Sequence, residues 1–236
     1  MASFVLVHGG GHGGWCYRPL ASLLRAGGHE VHAPTLTGLA DRAHLLSPDL
    51  GLETHVQDVA RLIEYEDLRD VVLVGHSYGG MVVTGAADRA AGRVGQLVYL
   101  DAAIPLDGEA LVDVSPGLLA LAGTTRTVDG VELGLWPDAA ACAIYGLAGS
   151  RYEAWALERL TPHPWKTVLD PLALADPAAV AALPRTVINC PASLAARPAA
   201  IRARWTTADR VRSIDAGHDL MLTAPEAVAD MLLALA

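Results

Sequence analysis

Short apolar runs alternate with amphipathic stretches along the first hundred residues of the chain. Val71–Val74 is an unbroken apolar run rich in β-branched residues, and it and Ser3–Val7 read as strands. Glu30–Ala33 and Gln96–Leu100 read as two more strands. Between them, Tyr17–Ala26, Thr54–Glu64 and Met81–Arg89 repeat apolar residues at helical spacing. Strands of this kind, separated by helices, predict a parallel sheet covered on both faces.

The rhythm changes after Pro105. From Leu106 to Leu183 the chain is rich in Ala, Leu, Pro and Trp, with helical stretches and no strand pattern. Alternation resumes with strand Thr186–Cys190, a helical Pro198–Trp205, strand Arg210–Ile214 and a final helix Pro225–Leu235. The expected organisation is an α/β core from residues 1–105 and 184–236. Residues 106–183 are expected to form a helical cap at the carboxyl edge of the sheet, where open α/β sheets bind ligands.

Composition narrows the function classes. The chain has 236 residues, 52% of them hydrophobic, which suits one domain with an insertion. A net charge of −9 argues against nucleic acid or an anionic membrane as partner. No apolar run reaches membrane-spanning length. Met1-Ala-Ser-Phe-Val-Leu-Val leads directly into a strand with no basic leader, so a cytoplasmic location is expected. Cys16, Cys142 and Cys190 are odd in number and lack metal-ligand spacing, which predicts reduced, buried thiols.

The chemistry begins at Gly75-His76-Ser77-Tyr78-Gly79, a G-x-S-x-G sequence set between a predicted strand and a predicted helix. In that context Ser77 is the candidate nucleophile, lifted above the sheet by a strained turn. A serine needs a general base. Of nine histidines, His218 follows the last predicted strand with Gly217 beside it, so its loop can reach back over the sheet. His76 is expected to pack under the elbow, and His163, between two prolines, to sit in a loop of the cap.

His8-Gly-Gly-Gly-His-Gly-Gly-Trp15 ends the first strand. Its glycines let backbone N–H groups face a substrate oxygen, so Gly10 and Tyr78 are the candidate oxyanion donors. Gly9 to Gly14 also spell G-x-G-x-x-G, but the second strand runs into Pro34-Thr35-Leu36 instead of the acidic residue a dinucleotide requires. His8 and His12 lie four apart on a glycine loop without a helix to align them, so structural hydrogen bonding is expected rather than a metal pair.

The His-Gly-x-x-His-Gly-x-Trp opening, the Gly-His-Ser-Tyr-Gly-Gly elbow and the Ala-Gly-His-Asp ending resemble the α/β-hydrolase superfamily. More narrowly, they resemble the branch holding plant methyl-salicylate-type esterases, hydroxynitrile lyases and their bacterial relatives. The resemblance implies a mostly parallel sheet of about six strands with helices on both faces and a helical cap. It also implies no cofactor, no metal, and often a homodimer. Two positions depart from that branch. The lyases carry a Thr where this chain has Gly9, and a Lys where it has Asp219, whose charge is expected to oppose departing cyanide. Esterase chemistry is therefore expected over cyanohydrin cleavage.

The branch also places its triad acid where this chain has Ser193. Asp101, at the end of the preceding strand, is the candidate in its place. A Ser–His dyad helped by Ser193 or water, or a carboxylate at Asp215, Asp219 or in the cap, remains open.

In the cap, Trp136, Tyr145, Tyr152, Trp155 and Trp165 concentrate the chain's few aromatics. They either line an apolar or aromatic ester pocket, with Trp136, Tyr145, Trp155 and Trp165 as candidates, or hold the cap's own core. Asp107, Glu109 and Asp113 near the cap entry disfavour a strongly anionic substrate. The expected activity is serine hydrolysis of small or aromatic carboxylic esters. The alternatives are a cofactor-free lyase or polyketide-type tailoring enzyme, and an inactive ligand-binding protein.

Overall fold

The computed structural model describes all 236 residues. Strands β1 (Ser3–Val7), β2 (Glu30–His32), β3 (Val71–His76) and β4 (Val94–Leu100) form where the apolar runs predict them. Strands β5 (Arg126–Val128), β6 (Val131–Gly134) and β7 (His163–Pro164) follow, and β8 (Arg185–Asn189) and β9 (Arg210–Ser213) complete the set. Six of them make one sheet in the order β2-β1-β3-β4-β8-β9, parallel at every pairing.

The side-chain period of two divides the core. Val5, Val7, Val71, Leu73, Leu97 and Tyr99 face one side of the sheet, whereas Phe4, Leu6, Val72, Val74, Val98 and Leu100 face the other. Helices α2 (Leu52–Tyr65) and α3 (Gly79–Arg89) cover the first side with Val56, Val59, Ile63, Met81 and Val82. Helix α1 (Arg18–Ala26) and the C-terminal helix Pro225–Leu233 cover the second with Leu20, Leu24, Val228 and Leu232. Burial on both faces is the reason these strands read as unbroken apolar runs. No helix is long and apolar enough to cross a membrane.

Two expectations need correction. Residues 106–183 do contain strands: β5, β6 and β7 form a small antiparallel sheet. Asp129 and Gly130 both take positive φ, 49° and 79°, and close β5 onto β6 as a tight hairpin. Asp-Gly is a strong hairpin signal, and both flanking strands are only three or four residues long. The second correction concerns the stretch after β8. Pro191–Ala196 is the helix there, with its proline in the first turn, and only Arg202–Trp205 of the expected Pro198–Trp205 is helical.

Candidate active site

Four loops converge at the carboxyl edge of the sheet. Gly9 and Gly10 follow β1, Ser77 follows β3, Asp101 follows β4 and His218 lies beyond β9. Ser77 holds φ of +52°, a left-handed conformation that is unfavourable for a residue with a side chain. The turn closes tightly around it. A Cβ at Gly75 would sit 2.6 Å from the Gly79 carbonyl oxygen, and one at Gly79 would sit 2.5 Å from that of Val7. Strand, turn and helix therefore meet at a distance that only glycine permits. The peptide is locked further by Gly80 and Ala103, whose N–H groups both donate to the Ser77 carbonyl.

Asp101 also adopts the left-handed region, with φ of +45°. Its side chain is fully buried, and its Oδ2 accepts from His218 Nδ1 at 2.6 Å. The structure thus brings Asp101, and not Asp215, to His218. Burial raises the Asp101 carboxyl, but His218, Ser193 and Arg197 outweigh it and hold the group down at about 2. Arg197, missed in the sequence, donates to the Asp101 carbonyl at 3.2 Å and lies 3.6 Å from Oδ1, with its guanidinium stacked on Trp205. Ser193, at the position where the resembling branch carries an acid, lines the second cavity beside Arg197 and His218.

Ser77 and His218 line one cleft of about 180 Å³ together with Gly10 and Tyr78. Their side chains are not hydrogen-bonded to each other in this conformation. The backbone N–H groups of Gly10 and Tyr78 have no acceptor within the chain. A second cavity of about 420 Å³, lined by Ser115–Leu118, Ser193 and Pro198 among others, shares His218 and Arg197 with the first. A wider depression on α2 lined by Arg42, Glu53, Gln57 and Asp58 is polar and holds none of these groups.

The walls of the cleft are aliphatic, supplied by Leu111, Leu118, Leu121, Leu135 and Ile144. Of the four candidate pocket aromatics only Tyr145 reaches it, and that placement corrects the other three. Trp165 is buried in the sheet-side core, against Gly134. Trp155 packs edge-on to Trp15, and Trp136 lies under the Arg126 guanidinium. Trp165 and Trp155 bury apolar surface where the insertion meets the rest of the chain, whereas Trp136 packs within the insertion.

The remaining histidines are buried and bonded. His163 lies in β7 and not in a loop, and it is fully buried: its Nδ1 accepts from Gly11 N–H at 3.2 Å and its Nε2 meets Thr167 Oγ1 at 2.8 Å. His76 Nε2 donates to the His218 carbonyl at 3.0 Å, and burial keeps its imidazole neutral, down at about 3. His12 makes a buried 2.8 Å contact to Asp219. The Asp219 carboxylate is therefore turned into the protein and does not line the cleft. The three cysteines are free and buried.

A model of the alpha/beta hydrolase family matches residues 4–231. A carbendazim hydrolyzing esterase from Nocardioides sp. (strain SG-4G) is 40% identical over 248 residues, covering 100% of both chains. Methylesterase 10 of Arabidopsis thaliana is 33% identical over 131 residues, 55% of this chain and 46% of that protein. Among solved structures, the Arabidopsis methylesterase MES16 aligns with a TM-score of 0.77 at 22% identity, covering 100% of this chain and 98% of that one; this likeness shows the fold.

Proposed function

The chain belongs to the alpha/beta hydrolase family, and from that premise we propose that it hydrolyses small or aromatic carboxylic esters through Ser77, His218 and Asp101. The observation that carries this reading is the convergence of a strained Ser77, two unpartnered N–H groups and the His218–Asp101 pair on one cleft. In the first step His218 Nε2 takes the Ser77 proton as Oγ attacks the ester carbonyl. The carbonyl oxygen becomes an oxyanion held by the Gly10 and Tyr78 N–H groups, each worth about 3 kcal/mol to the transition state. Collapse breaks the ester C–O bond, and His218 returns its proton to the departing alkoxide. Water then attacks the acyl-Ser77, giving its proton to His218, and the acyl C–Oγ bond breaks as His218 passes that proton to Ser77 Oγ and the acid leaves. The buried Asp101 carboxylate holds Nδ1–H in place and stabilises the imidazolium formed in both halves.

Residues 106–183 act as the cap, since Leu111, Leu118, Leu121, Leu135 and Ile144 all come from that insertion. An apolar cavity of about 150 Å³ is enough to take benzene, so the cleft suits a short aliphatic or single-ring acyl group. The name of the Nocardioides relative, which matches over its full length, weighs for hydrolysis over C–C cleavage or tailoring. The test compares wild type with Ser77→Ala on p-nitrophenyl acetate, butyrate and benzoate, and on carbendazim. Turnover that disappears in the variant is the expected result. Equal rates in both proteins would remove Ser77 as the nucleophile.

A further inference from the structure

His12 takes no part in the acyl transfer above, yet few side chains in the molecule are more constrained. It is fully buried, with Nδ1 2.7 Å from the Gly10 carbonyl oxygen and Nε2 2.8 Å from Asp219 Oδ2. A carbonyl can only accept, so Nδ1 carries a proton and donates it to Gly10. The partner of Nε2 is a carboxylate, which completes an imidazolium–carboxylate pair. The directions agree: burial opposes the charges, but each partner raises or lowers the other toward the ionised form.

The peptide that His12 grips is held from every side. Its carbonyl, that of Gly10, also accepts from the Tyr145 hydroxyl at 3.1 Å. Its N–H, that of Gly11, donates to His163 Nδ1. Three consecutive glycines, Gly9 to Gly11, have little stiffness of their own, so the loop's shape must come from such outside contacts. The far end of the pair reaches the base. Asp219 directly follows His218, its N–H donates to the Tyr145 carbonyl, and its Oδ1 lies 3.7 Å from His76 Nε2, which donates to the His218 carbonyl.

We propose that the buried His12–Asp219 pair is a positioning device that fixes the glycine loop with the Gly10 N–H facing the oxyanion and ties that loop to the segment bearing His218. The proposal rests on the esterase reading of the same cleft. A pair that only stabilised the fold would act on unfolding and not on kcat. Misplacing one donor removes part of the hundredfold or greater effect that an oxyanion donor supplies, roughly tenfold or more in kcat with KM little changed.

The test uses Asp219→Asn as a common background, which avoids leaving a buried carboxylate unpaired. In that background, His12→Leu removes the donor to Gly10, whereas the amide of His12→Asn stands at the Nδ1 position and restores it. The expected result is a kcat at least tenfold lower for His12→Leu than for His12→Asn, with KM within about twofold and matching thermal midpoints. Equal kcat in the two double variants, a loss confined to KM, or a loss that follows the midpoint overturns the proposal. Should either fail to fold, Asp219→Asn alone, compared with wild type, takes the charge from the pair while the His12 ring stays in place. A several-fold drop in kcat is then expected, and an unchanged kcat overturns the proposal. Ser77→Ala, assayed alongside, separates the two readings. Ser77-independent wild-type turnover refutes the esterase, whereas Ser77-dependent turnover with equal double variants refutes only the positioning role.

Discussion

Asp101 carries opposing demands in one residue. A fully buried carboxylate is costly, and left-handed backbone adds strain, which aspartate tolerates better than most side chains. The contacts that compensate are the 2.6 Å bond to His218 and the nearby Arg197. Because its folded value, about 2, lies below the ordinary 3.8, the ionised form stabilises the fold. That contribution, about 2 kcal/mol, is fully present above pH 4 or so and is lost as pH falls through the folded value. Urea unfolding at pH 6 and at pH 3 is therefore expected to show a steeper loss of stability for wild type than for Asp101→Asn. A parallel loss would mean that Asp101 does not titrate with folding. On activity, Asp101→Asn is expected to lower kcat about 10³- to 10⁴-fold at neutral pH, because an amide favours the wrong imidazole tautomer. Near wild-type kcat from a folded Asp101→Asn protein would pass the acid's role elsewhere. That Ser77 and His218 would line one cleft was legible in sequence, because each sits in a short local motif. Arg197 and the His12–Asp219 pair were not, since partners 96 and 207 residues apart meet only through the fold.

At the level of elements, the strands of the large sheet were legible for a physical reason. Strands buried on both faces must be apolar throughout, and Val71–Val74 shows that directly. The insertion was harder to read because its α-helices run only four to six residues, as in α4 (Leu111–Val114) and Ala139–Ile144. Elements that short have no periodicity to detect, and the Asp129-Gly130 turn was the one clear signal in that segment. The elbow, by contrast, is fixed by sterics that can be tested. A methyl group at Gly79 would meet the Val7 carbonyl oxygen at 2.5 Å, and backbone cannot rotate away as a side chain does. Gly79→Ala is expected to cost about 1–3 kcal/mol of stability through overpacking and to lower the thermal midpoint by several degrees. A midpoint equal to wild type would show that β1 and α3 can separate without penalty, and that the elbow is looser than its geometry implies.

For the molecule as a whole, two cores pack on either side of the sheet, and Leu111, Leu118, Leu121, Leu135 and Ile144 of the insertion line the cleft beside Tyr78 and Tyr145. On the cap reading proposed above, selectivity for the acyl group is assigned to these insertion residues. Leu118 tests the assignment, because it is half-buried on the short helical segment Pro116–Thr124 and lines both cavities. Its replacement by a larger ring removes space from the cleft without opening a hole in either core. Leu118→Trp is therefore expected to leave the thermal midpoint near wild type. It should also lower kcat/KM for p-nitrophenyl hexanoate relative to acetate by about tenfold or more, since a single methylene in an apolar pocket is worth about 1–3 kcal/mol. If acetate and hexanoate fall together, the acyl chain enters neither of the cavities that Leu118 lines. If neither changes, the insertion does not set selectivity, and the loops that carry Ser77 and His218 must do so themselves.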